Sequence, residues 1–551
     1  MTNININKKY LLKELGKNLS DEQLRELISL MGTDPDEISG DEIVVEVFPN
    51  RPDLLSGYSI TRALKQFSGK SPGFINYAAK SPKKDYKVIV DKSVKTIRPY
   101  TACAIVSDLK LDNLKILEII QLQEKLHLTF GRDRKKLAIG IYPLEKIKLP
   151  IHYRADKPDK IKFQPLESDH EMTGAEILRK HPTGIKYAAL LESAEKYPYF
   201  IDSNNEILSM PPIINSEKTG RVSESTHEVF IECSGFDYDV LSKCLNIIVT
   251  VLADMGGEIH QMNLEYDNKK RISPDLSPEK LAVNIDYINS VIGVNLDSKT
   301  IKNSLEKMGH GVEIKGKNIN VKIPCYRTDI LHKIDIVEDI AIGYGYQNFI
   351  PEIPKVASTA QENKTEYIKD RLRDILVGFG FIELKNYDII NSEFQTKLIY
   401  NKEKPVMIIS PVSAEYDSLR TNVLSSILQS LKFNLRNESN ASVFELGTVF
   451  HHDKSEETNV SETEHLAIML SSSSVNFTSI KQVLATLMRQ LNKKFSLEEL
   501  DEELFIAGRS GTIIINNKKL GKLGEISPKV INNFELRNPC AFLELDLSFL
   551  E

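Results

Sequence analysis

The feature that most constrains this chain is an internal repeat. LGKNLSDEQLRELISLMG (residues 15–32) returns as IGVNLDSKTIKNSLEKMG (292–309). Each copy has an apolar–Gly pair, Asn–Leu, a polar cap, an amphipathic stretch and a closing Met–Gly. Leu24, Leu27 and Met31 recur as Ile301, Ser304 and Met308. The spacing is helical and the last Gly suits a helix C-terminus. The repeat continues: VEVFPNRPDLL (45–55) matches NVKIPCYRTDIL (320–331), an alternating strand followed by Pro, Arg, Asp and a new helix. Arg51 matches Arg327 and Asp53 matches Asp329, with loops that differ by one residue. An Asp at a helix start can cap free N–H groups and meets the positive end of the dipole, which predicts that both serve as caps. The chain therefore carries two helix–strand–helix modules, expected within residues 1–80 and 270–350.

Residues 85–265 separate the modules. Strands are expected at 87–90, 100–107, 186–191 and 229–232, and helices at 114–126 and 241–255. That is enough for an inserted α+β domain. PEIPKVASTAQENKT (351–365) reads as a linker. The segment 355–551 opens with a helix carrying Ile368, Leu372, Ile375, Leu376 and Phe379 on one side. It ends in strands near 512–516 and 542–547. A multidomain α+β chain fits the length of 551 residues.

Composition narrows the class further. With 41% hydrophobic and 27% charged residues the chain can bury real cores, so it is neither disordered nor fibrous. No apolar run approaches the ~20 residues of a membrane span, and no secretory signal is visible at the N-terminus. Five scattered Cys without a CxxC fit reduced thiols in a cytoplasmic protein. A net charge of −6 argues against a general nucleic-acid coat but leaves room for a local footprint.

In the helix ILHKIDIVEDIAIGYGY, Asp335, Glu338 and Asp339 stand at i, i+3 and i+4, on one expected face. Such acids repel unless a cation or basic partner neutralises them, and hard divalent cations take such oxygens. A solvated acidic face is the alternative. The repeat supplies a control: the matching positions in the first module are Ser59, Arg62 and Ala63. The fold does not need acids there, whereas the Arg and the following Asp occur in both copies.

VEVFPNRPDLLSGYSITRAL, LQEKLHLTFGRDRKKLAIGI, LSMPPIIN and PCYRTDILHKIDIVEDIAIGYGY together resemble the β subunit of phenylalanyl–tRNA synthetase of the archaeal and eukaryotic type. The resemblance runs along essentially the whole chain in the family's order. It implies winged-helix-like repeat modules flanking an editing domain, then a degenerate class II synthetase-like domain built on an antiparallel sheet. It implies an α2β2 enzyme that joins phenylalanine to tRNA(Phe) with ATP, the α subunit carrying the aminoacylation site. It also implies Mg2+ shared with the α subunit and held at Asp329, Asp335, Glu338 and Asp339. No membrane partner is expected.

The residues fit that division of labour. A class II synthetase holds ATP phosphates with an Arg in an Arg-x-Glu strand and another closing a Gly-rich segment. SVFELGTVF (442–450) has no Arg before Glu445. Beyond residue 450 the only arginines are Arg489, Arg509 and Arg537, none after a GxGxx run, and no P-loop or Rossmann fingerprint replaces them. SLRTNVLSSILQSL (418–431) then reads as a structural helix.

Editing has a physical motive. A pocket for Phe rejects Tyr only by about 10², because Tyr merely adds a hydroxyl. A second pocket that hydrogen-bonds the hydroxyl can select Tyr and hydrolyse its ester. By resemblance that pocket involves Phe200, Ser209, Asn215, Glu232 and Ser234. The family usually has Leu, Asp and Thr where this chain has Phe200, Glu232 and Ser234, which predicts altered editing. The bland alternatives are a rigid loop for Ser209-Met-Pro-Pro and a surface acid for Glu232. GRDRKK (131–136) reads either as a phosphate contact or as solvated surface. Two other readings of the whole chain stay open: an interaction scaffold, and a free-standing hydrolase of mischarged tRNA.

Overall fold

The repeat is as complete in three dimensions as in sequence. The first module pairs strands Thr2–Asn7, Glu42–Val47 and Asp34–Ser39 in that spatial order, and the second pairs Glu279–Asn284, Asn318–Ile323 and Gly311–Lys315 in the same order. Helix Lys8–Leu15 corresponds to Ile285–Ile292, an element that sequence periodicity did not reveal. Helices Asp21–Leu30 and Ser298–Lys307 are the repeated amphipathic segments. Ser20 and Asp297 cap them, and Gly32 and Gly309 leave them at φ 95° and 83°. Leu24 and Ile28 point into the first core, Ile301 and Leu305 into the second.

The computed structural model describes residues 2–267, 269–354, 356–434 and 440–550. The chain divides into two units, meeting between Ile353 and Pro354. Residues 351–354 and 356–363 are exposed and lack regular structure, and Lys355 of the expected linker lies outside the described residues.

Within the first unit the modules pack on each other and on an eleven-stranded sheet. Along its main path the order is Ile214–Asn215, Ile207–Met210, Tyr197–Ile201, Ile151–Asp156, Lys87–Val90, Glu258–Tyr266, Tyr100–Ser107, Val229–Gly235 and Leu137–Pro143. Two short strands, Ala79–Lys80 and Lys269–Ser273, flank Glu258–Tyr266. Helices Asn113–Leu128 and Tyr238–Asp254 bury Leu126, Leu241, Leu245 and Ile248 against one face of this sheet. Asp254 anchors the first module, accepting from Arg62 Nη1 at 2.5 Å and Tyr77 Oη at 2.6 Å.

The segment 186–191 is not a strand. It lies across helix Pro182–Tyr187 and the 3-10 turn Ala188–Leu190. Pro182 opens that helix at a first-turn position where its missing N–H costs nothing. A Cβ at Gly184 would sit 1.8 Å from the Ile177 carbonyl oxygen, so glycine permits the tight corner with helix Gly174–Lys180.

The second unit is a seven-stranded sheet in the order Ile382–Glu383, Ala441–His452, Val460–Ser471, Cys540–Asp546, Lys518–Ile526, Phe505–Ile515 and Ser496–Glu499. Its first pair is parallel and the rest are antiparallel. Alternating side chains split the core. Phe444, Leu446 and Leu543 face helices Lys364–Gly378 and Phe477–Gln490, while Val443, Ala467 and Phe542 face helix Leu424–Asn434.

Candidate functional site

The long sheet curls until its two ends meet. Glu232 stands on Val229–Gly235, opposite Cys103 on one neighbour and Gly140 on the other. Tyr142 lies two residues beyond Gly140 on the edge strand, and its hydroxyl donates to Glu232 Oε1 at 3.2 Å. A Cβ at Gly140 would lie 2.0 Å from that hydroxyl, so only glycine lets the phenol reach the acid. The same hydroxyl is 3.4 Å from Asn215 Oδ1, on the strand at the opposite end of the sheet path. Asn215 is in register with Ser209, and Ser209 with Phe200.

A cavity of about 460 Å3 opens at this seam, lined by His127, Arg134, Ser209, Ile213, Asn215 and Glu232 among others. That volume suits a small ligand. Its wall is unusual in its polar accounting. Glu232 Oε2, Ser209 Oγ and His127 Nδ1 are all buried and have no hydrogen-bond partner. Buried polar atoms are normally satisfied, so each unpaired one calls for an explanation.

Charge follows burial. Desolvation pushes the Glu232 carboxyl up to about 8, against the opposing pull of Arg98, so it is largely a neutral acid at pH 7. With Oε1 accepting from Tyr142, the acid's own proton belongs on Oε2, which is buried without a partner on a residue that lines the cavity. Burial, then Arg134 and Arg98, holds His127 well below the usual imidazole range. Its Nε2 accepts from the Ile139 N–H at 2.7 Å, which assigns the remaining proton to Nδ1.

The expected pocket residues are thus divided. Ser209, Asn215 and Glu232 share the cavity wall. Phe200 does not line it; the ring is fully buried and stacks on Tyr153 with centroids 4.3 Å apart. Ser234 does not line it either, and is held by Arg98, whose Nη2 donates to its carbonyl at 2.8 Å. Arg134 of GRDRKK is occupied: Nη1 donates to the Ile213 carbonyl at 2.7 Å, and the guanidinium stacks 4.3 Å from the Tyr187 ring centroid. Residues 132–134 all take positive φ, 49°, 53° and 64°, to deliver it. Arg132, Lys135 and Lys136 of the run remain exposed. Sequence reading missed Tyr142 and His127. The glycine within the LAIGIYP strand is the one local signal of a close approach.

The acidic helix, Lys333–Tyr344, divides in the same way. Asp329 accepts both prongs of Arg327, Nε at 2.8 Å and Nη2 at 2.7 Å. Asp339 is buried, 2.8 Å from Arg327 Nη2 and 2.5 Å from His310 Nε2. Burial alone would raise its carboxyl; Arg327 and then His310 overcome this and hold it below the usual range. Because burial keeps His310 below its own ordinary value, Arg327 supplies the balancing charge. Asp335 Oδ2 accepts from the Leu331 and His332 N–H groups, and Glu338 is exposed.

The three acids therefore do not share one open face. Ile336, Val337, Ile340 and Gly343 form the buried stripe, and Asp339 sits at its edge. Asp329 and Asp339 already accept from Arg327 and His310, as metal-bound carboxylates commonly do from neighbouring donors, whereas Asp335 accepts only through Oδ2 and Glu338 is exposed. Asp53 and Asp329 do not cap helices. Asp53 takes the same fork from Arg51, at 2.9 and 2.8 Å. Ser56 and His332 are the N-caps.

Residues 281–346 match the family model of the tRNA synthetase B5 domain, and 350–547 that of the phenylalanyl tRNA synthetase beta chain CLM domain. The phenylalanine–tRNA ligase β subunit of Pyrococcus horikoshii is 38% identical over 99% of both chains. That of Archaeoglobus fulgidus is 37% identical over 95% of this chain and 94% of its own. A crystal structure of an N-terminal fragment of the P. horikoshii β subunit is 39% identical and covers 62% of this chain and 99% of the fragment, with a TM-score of 0.60. Identity at this level along nearly the whole length settles membership: the chain belongs to the phenylalanine–tRNA ligase β-subunit family.

Proposed function

We propose that this chain is the β subunit of a phenylalanine–tRNA ligase, that it works with an α subunit in an α2β2 enzyme on tRNA(Phe), and that its seam cavity hydrolyses tyrosine wrongly joined to that tRNA. The observation that carries the editing role is the pair of buried, unpartnered atoms Glu232 Oε2 and Ser209 Oγ on one cavity wall. A phenol needs one donor and one acceptor. The neutral Glu232 donates from Oε2 to the phenol oxygen, and Ser209 Oγ accepts the phenol proton. Phenylalanine offers neither, and leaves both groups unpaired. A site built to bind a hydroxyl rejects the analogue lacking it by about 10⁴–10⁵. The cavity's apolar lining holds the ring, and the anchored side chain leaves its ester to water.

The aminoacylation site belongs, in this reading, to the α subunit. Glu445, on the strand that resembles a class II phosphate-binding strand, is fully buried against Arg420 at 2.6 Å and accepts from Asn386 at 2.6 Å. Gly447 makes room for that arginine, since a Cβ there would lie 2.1 Å from Arg420 Nη2. ATP would thus be used by the assembled enzyme. Mg2+ would be held from this chain by Asp329, Asp335, Glu338 and Asp339, with oxygens of the partner completing the set. The cation would supply charge neutralisation between subunits. The winged-helix-like reading of the modules rests on their shared strand order and three helices.

Deacylation by the reconstituted enzyme tests the proposal. Tyrosyl-tRNA(Phe) should be hydrolysed and phenylalanyl-tRNA(Phe) spared. Equal rates on both would reject it.

A further inference from the structure

The second unit holds a larger cavity, about 660 Å3, that the proposed activities leave without a role. It opens on the sheet face that also carries Glu445. Register fixes a row across the strands: Glu445 faces Ala467, Ala467 faces Glu544, Glu544 faces Lys522, and Lys522 faces Thr512. Glu445 at one end of the row is neutralised by Arg420. Glu544, two strands away, lines the cavity with Lys522 and Thr512.

Glu544 is only half satisfied. Its Oε1 accepts from the Val423 N–H at 3.0 Å and from His465 Nδ1 at 3.0 Å. Its Oε2 is buried with no partner, on a residue 5% exposed. Burial would raise this carboxyl, but the His465 contact and the Val423 N–H outweigh it and keep it below the ordinary value, so it is charged at neutral pH. Around it stand five more acids, Glu403, Asp501, Glu502, Glu503 and Asp546, against three lysines, Lys402, Lys519 and Lys522, and His451, which Glu403 holds at 2.5 Å and pushes toward its charged form, so that acids still outnumber cations. Lys522 is drawn to Glu502 at 3.1 Å rather than to Glu544. Between the charges the wall is aliphatic: Ile399, Leu424, Leu500, Leu504 and Leu520.

We propose that this cavity binds a small organic ammonium, an aliphatic amine whose charged head pairs with Glu544 Oε2 and whose carbon chain lies along the leucines. The excess of acids disfavours nucleotides and other phosphates. A metal ion is disfavoured because it wants several converging oxygens. Among the described residues the one group of three acidic ligand atoms within 4.8 Å of one another is Asp34, Asp36 and Glu46, in the other unit. An ammonium needs only one carboxylate oxygen and a further acceptor such as the Thr512 hydroxyl on the same wall.

Calorimetric titration of the full chain with putrescine tests this. Saturable binding is expected, with affinity at least tenfold weaker in Glu544→Gln. That variant keeps the acceptor for Val423 and His465 and removes only the charge. Magnesium chloride should not displace the amine, and ATP should not bind in this cavity. Absence of saturable binding, unchanged affinity in Glu544→Gln, or displacement by magnesium alone would overturn the proposal. Should Glu544→Gln fail to fold, Glu502→Gln on the exposed rim carries the test: a several-fold loss of affinity supports the site, and no loss overturns it.

Discussion

The Glu232 carboxyl, raised by burial from 4.5 to about 8, gives the first unit a defined pH dependence. Between those values the native chain holds a proton that the unfolded chain has released. Stability therefore falls as pH rises through that window, and the loss is complete above about 8. Glu232→Gln cannot ionise. Its melting temperature should exceed that of the unaltered chain at about pH 8.5 and approach it at about pH 5, the difference amounting to a few kcal/mol. Gly140→Ala should act on the same site by sterics. It drives a Cβ onto the Tyr142 hydroxyl and should cost about 1–3 kcal/mol in a melt while reducing tyrosine selectivity. At this scale the sequence was legible where a motif marks a residue, as at Ser209, Asn215 and Glu232. Tyr142 and His127 were hidden because a tyrosine in a strand and a histidine late in an amphipathic helix read as ordinary core. Phe200 was legible as a bulky departure, but strand pairing turns its ring into the aromatic stack with Tyr153, away from the cavity.

Among the elements, the second module's last helix carries a buried, partnered acid, Asp339, and an exposed one, Glu338. Arg327→Met would leave Asp329 and Asp339 without their cation, the second fully within the core, and should destabilise the first unit by ~3–5 kcal/mol in thermal or denaturant unfolding. Glu338→Gln is a surface change and should shift stability by no more than about 0.5 kcal/mol. Its effect should appear instead in α–β affinity, which is expected to lose its dependence on Mg2+. Unchanged Mg2+ dependence in that variant would leave the exposed acid as a solvated face only. Spacing alone placed Asp335, Glu338 and Asp339 together, since i, i+3 and i+4 do share a side of any helix. What spacing could not convey is which edge of that side the core covers. That depends on His310 and Arg327, brought in from a turn and a loop by the tertiary fold. The repeat made both modules' amphipathic helices readable, whereas 186–191 misled because two leucines, two alanines and a tyrosine fit a short strand as well as a helix corner.

Across the whole molecule, the editing chemistry is assigned to the first unit and no aminoacylation chemistry to the second. The second unit's sheet has a buried Arg420–Glu445 pair where a phosphate-binding strand would need a free cation, so the chain without its partner should give no phenylalanine-dependent ATP–pyrophosphate exchange. Robust exchange by the isolated chain would contradict the division of labour. The described residues include no helix long and apolar enough to cross a membrane. The order of segments was readable from the repeat, but the meeting of the sheet's two ends was not, because it depends on strand partners far apart in sequence. The seam is where the central claim lies, that Glu232 and Ser209 read the tyrosine hydroxyl. The direct measurement is the rate of tyrosyl-tRNA(Phe) deacylation by the assembled enzyme carrying Glu232→Ala or Ser209→Ala. The account predicts that Glu232→Ala abolishes hydrolysis and that Ser209→Ala lowers it at least tenfold, a loss of about 1.4 kcal/mol or more, with aminoacylation intact. Full hydrolysis by the Glu232→Ala enzyme would contradict it.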